Sequence, residues 1–403
     1  MEKPITVIEI SDTQIRLAVG YAKDDKIHLV HLSERPITGL ISAGEITDYQ
    51  TLSSILSSMR EYKDETTKEK FTVNEATVIL PSLGLNVFQS EKTTNVVSPY
   101  GMIANIDIEN VVSLVQKEAV PAGSEIIDII PDSFTLEMGR SFINPPINEK
   151  SNSIRINAKI HCLPTRIVSE YKRVVEAAHI RVRRLCVSSY ALTELGKYVE
   201  DIPNNYILVD MGAQLSSLTL VGNNTPFDSV CFMSGGNDLI NRIVDGFKVD
   251  PGEALELLKK YGFDQRPLSY NPTIAASFID GISRDFDPTS LNALIETFFK
   301  EDYFPQFDVV FQNMMKGYPD QVKELPVVFS GGFSKLFGFE SLAKEKFNKN
   351  QSIHYLEPNT IGARDARFSA CIGAMYVASK YKGALSDTRI KSPNEFLKDR
   401  ESK

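Results

Sequence analysis

The spacing of apolar residues along the chain predicts short buried strands that alternate with amphipathic helices. Apolar runs over residues 5–9, 15–21 and 76–80 are typical of buried strands, and the first two flank a short polar turn. Over residues 51–61, apolar side chains recur every three or four positions, which predicts a helix with one buried face. The N-terminal part of the chain is therefore predicted to be an α/β unit.

A different pattern, between residues 89 and 164, predicts a small α+β module inserted into this unit. It comprises a short strand at 93–97, a helix at 107–119, an extended strand at 124–136 and an alternating strand at 154–161. The alternation places Lys159 and His161 on the polar face of the last strand. We expect His161, like His179 further along, to lie at the surface or at an interface.

Two strand ends that carry glycine are the strongest sign of a binding site. Residues 206–212 read YILVDMG, and residues 327–338 read VVFSGGFSKLFG. Glycine lets backbone N–H groups approach a phosphate or sugar, and a helix N-terminus favours negative charge. Each element alone is common. About 120 residues apart, and preceded by a strand–turn–strand at residues 5–20, they suggest the two-lobed nucleotide cleft of actin-like proteins.

Composition is consistent with such a protein and disfavours some alternatives. The 403 residues suit two lobes, and 42% hydrophobic with 24% charged residues is ordinary for a globular chain. The net charge of −8 and the lack of a long basic run disfavour a nucleic-acid partner. The stretch RVRR at residues 181–184 is interpreted as a strand edge.

The spacing of the cysteines and the hydropathy of the chain indicate its cellular compartment. The four cysteines (Cys162, Cys186, Cys231 and Cys371) lie far apart, without the spacing of a zinc site or a disulfide framework. No window approaches 18 apolar residues, and the first residues read as a strand rather than a leader. We therefore expect a cytoplasmic protein.

In the inserted module the chain resembles a known family. The stretch DIENVVSLVQKEAVPAGSEIIDIIPDSFTLEMGRSFINPPI is similar to the corresponding part of FtsA, the bacterial actin-like cell-division protein. The resemblance continues through YILVDMG, SGGNDLINRIV and FSGGFSKLFGFESLA, in collinear order over residues 1–382. The related pilus-assembly protein PilM shares the fold and the module, but the sequence motif IIPDSFTLE…INPPI favours FtsA.

The resemblance implies an actin-like (ribonuclease H-like) α/β fold of two lobes, with the strand–helix–strand–strand module inserted in the first lobe. The expected domains are a first lobe (residues 1–88, 165–203 and 360–382), the module (89–164), a second lobe (204–234 and 324–359), a helical distal subdomain (235–323) and a flexible tail (383–403).

The resemblance also places a nucleotide site, but the first phosphate turn departs from the family. Where the family typically has Asp-Ile-Gly-Thr-Thr-Lys, this chain reads EISDTQ. The glycine is missing, the metal-facing Asp is Glu9, and the phosphate-facing Lys is Gln14. Asp12 would repel a phosphate unless it faces magnesium. Ser11 and Thr13 complete the predicted turn.

The second phosphate turn is also altered, whereas the adenosine turn matches. Only Asp210 and Gly212 match the family's Asp-Ile-Gly-Gly-Gly-Thr-Thr-Asp, so the implied magnesium ligands are Glu9 and Asp210. Leu255 and Leu258 stand where the family directs a Glu and a Lys toward the ribose. The other implied nucleotide-binding residues are Ala213, Gln214, Gly235, Gly236, Glu253, Gly331, Gly332, Phe333 and Ser334.

The resemblance implies a cell-division scaffold at the cytoplasmic face of the membrane. Such a protein polymerises like actin and links the tubulin-like protein FtsZ to the division site. Because the phosphate turns are altered, we expect weak or no binding of ATP with magnesium, and at most a slow ATPase. The alternatives are a PilM-like pilus or secretion platform and a true actin-fold ATPase or kinase. A kinase would need an intact phosphate turn and a poised acid.

Two partner contacts follow as expectations. The C-terminal peptide of FtsZ would bind the second lobe, where residues 235–323 carry many aromatic side chains that form either a groove or a core. Those aromatics are Phe298, Phe299, Tyr303, Phe304, Phe307 and Phe311. The tail GALSDTRIKSPNEFLKDRESK lacks the broad apolar face of a membrane anchor. Membrane contact would then need a missing tail segment or a partner, and we expect negligible binding to anionic liposomes.

Overall fold

Strands dominate the first half of the chain. The computed structural model describes residues 4–63, 68–264, 266, 271–279, 282–347 and 351–380. Its strands are β1 (Ile5–Ile10), β2 (Gln14–Lys23), β3 (Lys26–Pro36), β4 (Ile41–Ser42), β5 (Glu45–Ile46), β6 (Glu61–Lys63), β7 (Lys70–Thr72), β8 (Glu75–Leu80), β9 (Asn86–Asn95), β10 (Ser124–Leu136), β11 (Ser141–Phe142), β12 (Ser153–Pro164), β13 (Arg181–Val187), β14 (Tyr206–Met211), β15 (Ser216–Gly222), β16 (Thr225–Phe232), β17 (Ala275–Ile279), β18 (Ile282–Phe286), β19 (Val327–Ser330) and β20 (Ile353–Tyr355).

Helices cover the sheets and build most of residues 236–315. The α-helices are α1 (Tyr49–Met59), α2 (Asn105–Val115), α3 (Thr165–Ala177), α4 (Ser188–Gly196), α5 (Gly236–Phe247), α6 (Pro251–Tyr261), α7 (Pro288–Thr297), α8 (Phe304–Met315), α9 (Phe339–Lys346) and α10 (Ser369–Lys380). A π-helical segment (Phe298–Tyr303) joins α7 to α8, and short 3₁₀ turns lie at Asp320–Glu324, Gly332–Lys335 and Ala366–Phe368. None of the described helices is long and apolar enough to cross a membrane.

Two five-stranded sheets share one topology. The first has the order β13-β8-β1-β2-β3 and the second β16-β15-β14-β19-β20. In each, three consecutive strands form an antiparallel meander, and its first strand then pairs in parallel with a strand from later in the chain. Each sheet has its own apolar core. This repeated arrangement confirms the predicted two-lobed α/β fold.

The inserted module is a third unit with a separate core. Its sheet has the order β11-β10-β12-β9, and α2 packs on it. The predicted order strand–helix–strand–strand is correct, with the two-residue β11 added. The predicted first strand at 93–97 was too short, because β9 pairs with β12 over its whole length, from Asn86 to Asn95.

The polar face of β12 is buried toward its end, which corrects one expectation. His161 is fully buried and Lys159 is only 6% exposed, because this face packs against the body of the molecule. Lys159 donates to the Thr225 hydroxyl on β16 and lies 4.3 Å from the centre of the Phe227 ring. Burial and the nearby charges of Lys159 and Arg184 lower the pKa of His161 to about 3. His179 is exposed, as expected.

Aromatic side chains of the second lobe form its core rather than an open groove. Phe298, Phe299, Tyr303, Phe304 and Phe307 are all buried. Phe299 packs on Phe339 of α9, which in turn packs on Phe329 of β19. Of the six aromatics singled out in the sequence, five are therefore core residues, so a peptide groove on this lobe would need other side chains.

Candidate functional site

A cavity of about 700 Å³ lies between the two lobes, where β1, β14 and β19 end. The structure brings most of the sequence-predicted residues to its wall, from all three turns. Those that line it are Glu9, Ser11, Asp12, Thr13, Gln14, Asp210, Gly212, Ala213, Gly236, Gly331, Gly332 and Phe333. Their roles toward a nucleotide stay predictions, but their assembly around one cavity is a property of the fold.

Four predicted residues do not line the cavity, and each has another contact. The Gly235 N–H donates to the Asp238 carboxylate (3.0 Å) at the start of α5, and the Glu253 N–H donates to Asp250 (2.9 Å) at the start of α6. The Ser334 hydroxyl donates to the Gly331 carbonyl (2.8 Å). Gln214 contacts the first lobe. These residues shape the turns rather than the cavity wall.

Gly331 brings the end of β19 against the end of β14. Its φ of +87° lies in the left-handed region, and a Cβ at this position would lie 2.4 Å from the Met211 carbonyl oxygen and 2.7 Å from Asp210 Oδ1. At Gly332, by contrast, a Cβ would meet nothing closer than 4.0 Å. The first glycine of the pair is therefore required by packing, while the second leaves open space beside the cavity.

Glu9 takes part in a chain of ion pairs across the first lobe. Its Oε2 lies 3.1 Å from Arg16 Nη1 and accepts a hydrogen bond of 3.1 Å from the Cys371 thiol. Arg16 in turn reaches Glu34 at 3.5 Å, and Glu34 pairs with Arg367 at 3.0 Å. Arg16 is 8% exposed and lines the cavity, but the sequence reading missed it. The sequence did carry a sign of it, because Arg16 is a single charged residue inside the apolar strand QIRLAVG, and a buried charge needs a partner.

Asp210 lies near Glu9 at the centre of the cavity wall. Burial raises the pKa of Asp210 to about 7, with a further increase from the negative charge of Glu9 and an opposing effect of Arg16. Within the described part of the chain, no group of three or more His, Cys, Asp or Glu could hold a metal ion. Since Mg²⁺ is often bound by one or two carboxylates together with substrate phosphates, Glu9 and Asp210 would depend on a bound polyphosphate to complete such a site.

Asp12 points to the second phosphate turn instead of into open space. Its Oδ1 accepts a hydrogen bond of 3.0 Å from the Gly44 N–H. The backbone N–H groups of Gln214 and Leu215 also favour its ionised form and partly offset burial, which raises the pKa of Asp12. Asp12 was expected to repel a phosphate unless it faces magnesium; its carboxylate accepts from the Gly44 N–H and lies beside the turn at residues 214–215.

Part of the cavity wall is apolar. It is formed by Leu255, Leu258 and Phe337, and Gly332 also lines the cavity. The two leucines therefore line the cavity at the positions where the family has ribose-contacting residues. Phe337 was not predicted as a site residue, although it lies next to the matching glycine turn in the sequence; 54% of its surface is exposed.

The cations at the cavity wall already have acidic partners. Lys259 pairs with Glu256 (2.8 Å), Lys335 with Glu357, and Arg367 with Glu34. The apolar side chains of the wall fit an adenosine-sized group. The phosphate turns do not fit a polyphosphate, because the Asp12 carboxylate of the first turn lies beside the second.

Two sheets of the same topology on either side of a cleft define an actin-like fold. Solved structures with this fold align with the chain. The PilM–PilN type IV pilus biogenesis complex aligns over 94% of this chain and 99% of that chain, with a TM-score of 0.59 and 15% identity. MreB 5 of Spiroplasma citri bound to AMPPNP aligns over 100% of this chain and 99% of that chain, with a TM-score of 0.52 and 11% identity. At these identities the likeness establishes the fold alone.

Comparison with known sequences shows which actin-like proteins the chain is similar to. The chain is 20% identical to the cell division protein FtsA of Bacillus subtilis (97% of this chain, 87% of the relative) and 24% identical to that of Enterococcus hirae (91% and 80%). The FtsA of Neisseria meningitidis is 21% identical, over 95% and 92%. No family model matches the chain. The resemblance to FtsA that the motifs indicated is confirmed over nearly the whole chain.

Proposed function

We propose that this protein is a cell-division scaffold of the FtsA type, which assembles through actin-like contacts and contributes little or no ATP hydrolysis. The observation that carries the proposal is the combination of full-length similarity to FtsA proteins with an intact two-lobed fold and rearranged phosphate turns. The fold that assembly would need is kept, and the acidic Asp12 at the first phosphate turn supports weak or no hydrolysis.

The partner of this scaffold is FtsZ, bound through its C-terminal peptide on the second lobe. Since the large aromatics there are buried, we place the peptide at a surface depression of about 430 Å³ beside α8. It is lined by the apolar Phe232, Pro305, Val309 and Val310 together with the polar Glu301, Asp302 and Gln306, and 60% of the Val309 surface is exposed. An apolar edge of this kind suits a short amphipathic segment.

Titration of the purified protein with an FtsZ C-terminal peptide tests this assignment. We expect saturable, weak binding that Val309→Asp lowers at least about tenfold. Ile361→Asp, at an equally apolar site with 81% exposure outside the depression, is the matched control and should leave binding unchanged. Absence of binding to the wild type, with a positive control for the peptide, counts against the role. Binding of a pilus inner-membrane peptide instead supports the PilM-like alternative.

Steady ATP turnover distinguishes the scaffold from an actin-fold ATPase or kinase. We expect phosphate release indistinguishable from that of a blank, with or without magnesium, because Asp12 lies at the phosphate turns and Glu9 is paired with Arg16. Sustained turnover that rises with a hydroxyl substrate supports the kinase reading. Sustained turnover without one supports an ATPase.

The site of action follows from the same proposal. The scaffold works at the cytoplasmic face of the membrane, at the division site, and self-associates into protofilaments. Contact with the membrane through a partner is part of this proposal; residues 381–403 lie outside the described part of the chain. We also propose the domain boundaries given above. Co-sedimentation with anionic liposomes is expected to be negligible, and strong pelleting at physiological salt contradicts the partner route.

A further inference from the structure

Asp12 and the turn at residues 43–44 contact the turn after β14 from across the cleft. The Gly44 N–H donates to Asp12 Oδ1 at 3.0 Å, and the Ala43 N–H donates to Gln214 Oε1 at 2.9 Å. A Cβ on Gly44 would lie 3.5 Å from a methyl group of Leu215, so the two turns lie close together. We call these five residues, Asp12, Ala43, Gly44, Gln214 and Leu215, the Asp12 latch.

The first-lobe side of the latch is held in place by buried groups. Gly44 has a φ of +81°, which glycine adopts without strain, and its carbonyl accepts a hydrogen bond of 3.1 Å from the Tyr171 hydroxyl. Tyr171 lies on α3 and is 1% exposed. Asp12 itself is only 9% exposed. The latch is therefore a packed element rather than a surface contact between mobile loops.

The second-lobe side of the latch has the form of an anion site. Successive backbone N–H groups in a turn at a strand end form a concavity that binds anions such as phosphate or carboxylate. Burial raises the pKa of Asp12, and the N–H groups of Gly44, Gln214 and Leu215 oppose that rise, so the second-lobe turn lies close to the Asp12 carboxylate. Neither the Gln214 nor the Leu215 N–H group takes part in a backbone–backbone hydrogen bond within the described residues. The anion beside this turn therefore belongs to the chain itself.

We propose that the Asp12 carboxylate is an intramolecular substitute for a phosphate anion, which holds the two lobes together without a nucleotide and excludes polyphosphates from the cleft. An incoming phosphate would have to displace Asp12 from Gly44 and the second turn. It would also lie beside a buried carboxylate of the same sign, which is unfavourable at close range. This inference concerns the isolated protein and holds or fails separately from the division role.

Hydrogen exchange of the wild-type protein, followed by mass spectrometry of peptides that cover residues 40–48 and 211–217, tests the latch directly. We expect slow exchange at both segments in the absence of nucleotide, with no further slowing on addition of ATP and magnesium. Asp12→Ala should speed exchange at both segments at least about tenfold, since it removes the acceptor of the Gly44 N–H and the anion beside the turn at residues 214–215. It should also raise the affinity for ATP with magnesium at least about tenfold.

Two further variants separate charge from shape. Asp12→Asn keeps an acceptor for the Gly44 N–H but carries no charge. We expect its exchange rates and its ATP affinity to lie between those of the wild type and Asp12→Ala. Asp24→Asn, in an exposed turn with a φ of +51°, makes the same change in net charge away from the cleft and should behave as the wild type. Fast exchange of either wild-type segment overturns the proposal, as does an Asp12→Ala protein with wild-type exchange and ATP affinity. The wild-type measurement decides even where a variant does not fold.

Discussion

Arg16 Nη1 lies 3.1 Å from Glu9 Oε2, and this ion pair occupies the base of the cavity between the lobes. Both side chains are largely buried, with 10% and 14% of their side-chain surface exposed. The acid that the sequence suggests as a metal ligand is therefore compensated by a cation from the neighbouring strand. In this arrangement, charge balance at the cavity does not require a bound ion.

The Arg16 pair is expected to contribute strongly to stability. Arg16→Gln would leave Glu9 without its cation and Glu34 with only Arg367, so the free energy of unfolding should fall by about 3 kcal/mol. Urea unfolding followed by circular dichroism measures the change. Arg367→Gln, whose side chain is 46% exposed, is the matched control and should cost less than about 1 kcal/mol. Equal effects of the two substitutions would contradict a buried network centred on Arg16.

Asp210 should make stability depend on pH. Its pKa is raised from 3.8 to about 7 in the folded protein, so the folded state binds a proton that the unfolded state releases. The stability that this proton confers is full below about pH 4 and is lost as the pH rises through 7. Asp210→Asn should therefore exceed the wild type in stability at pH 8 by about 1–3 kcal/mol and match it near pH 4.

Unfolding curves of both proteins at several pH values between 4 and 8 test this effect. Asp24→Asn, in its exposed turn, controls for the change in net charge and should show no pH-dependent difference from the wild type. A constant difference between Asp210→Asn and the wild type over the whole range would mean that Asp210 does not titrate in it.

Gly331 and Gly332 should respond very differently to substitution. Gly331→Ala combines a left-handed backbone with a close approach to the Met211 carbonyl, so a loss of about 2–4 kcal/mol is expected. Gly332→Ala meets no atom closer than 4.0 Å and should change stability by less than about 1 kcal/mol. Thermal unfolding of the two variants measures the contrast. A tolerated alanine at 331 would show that the β19 turn can shift away from β14.

Much of the fold could be predicted from the sequence because it depends on local periodicity. The apolar stripe over residues 51–61 became α1, and the glycine-bearing ends at Gly212 and Gly331 meet at one cavity. The alternation along β12 correctly identified its apolar, buried face, but it could not show that the polar face is also buried toward the end of the strand. The burial of His161 depends on packing against other elements, which no local pattern records.

The site was predictable in position but not in detail. Sequence alignment placed Asp12 in a phosphate turn, yet the direction of its side chain depends on Gly44, 32 residues away, and on a turn some 200 residues away. Arg16 carried a readable signal, since a charge inside an apolar strand requires a partner. Long-range pairing of polar groups is what the sequence alone left undetermined.

Calorimetric titration of the wild-type protein with ATP and magnesium tests the central claim most directly. Charge-assisted hydrogen bonds to phosphate contribute on the order of 1.5–3 kcal/mol each, and the Asp12 carboxylate lies beside the turn that would have to donate them. The account predicts no binding in the micromolar range. A dissociation constant in the micromolar range or tighter would contradict it, because the nucleotide would then have displaced Asp12 from its donors at little cost.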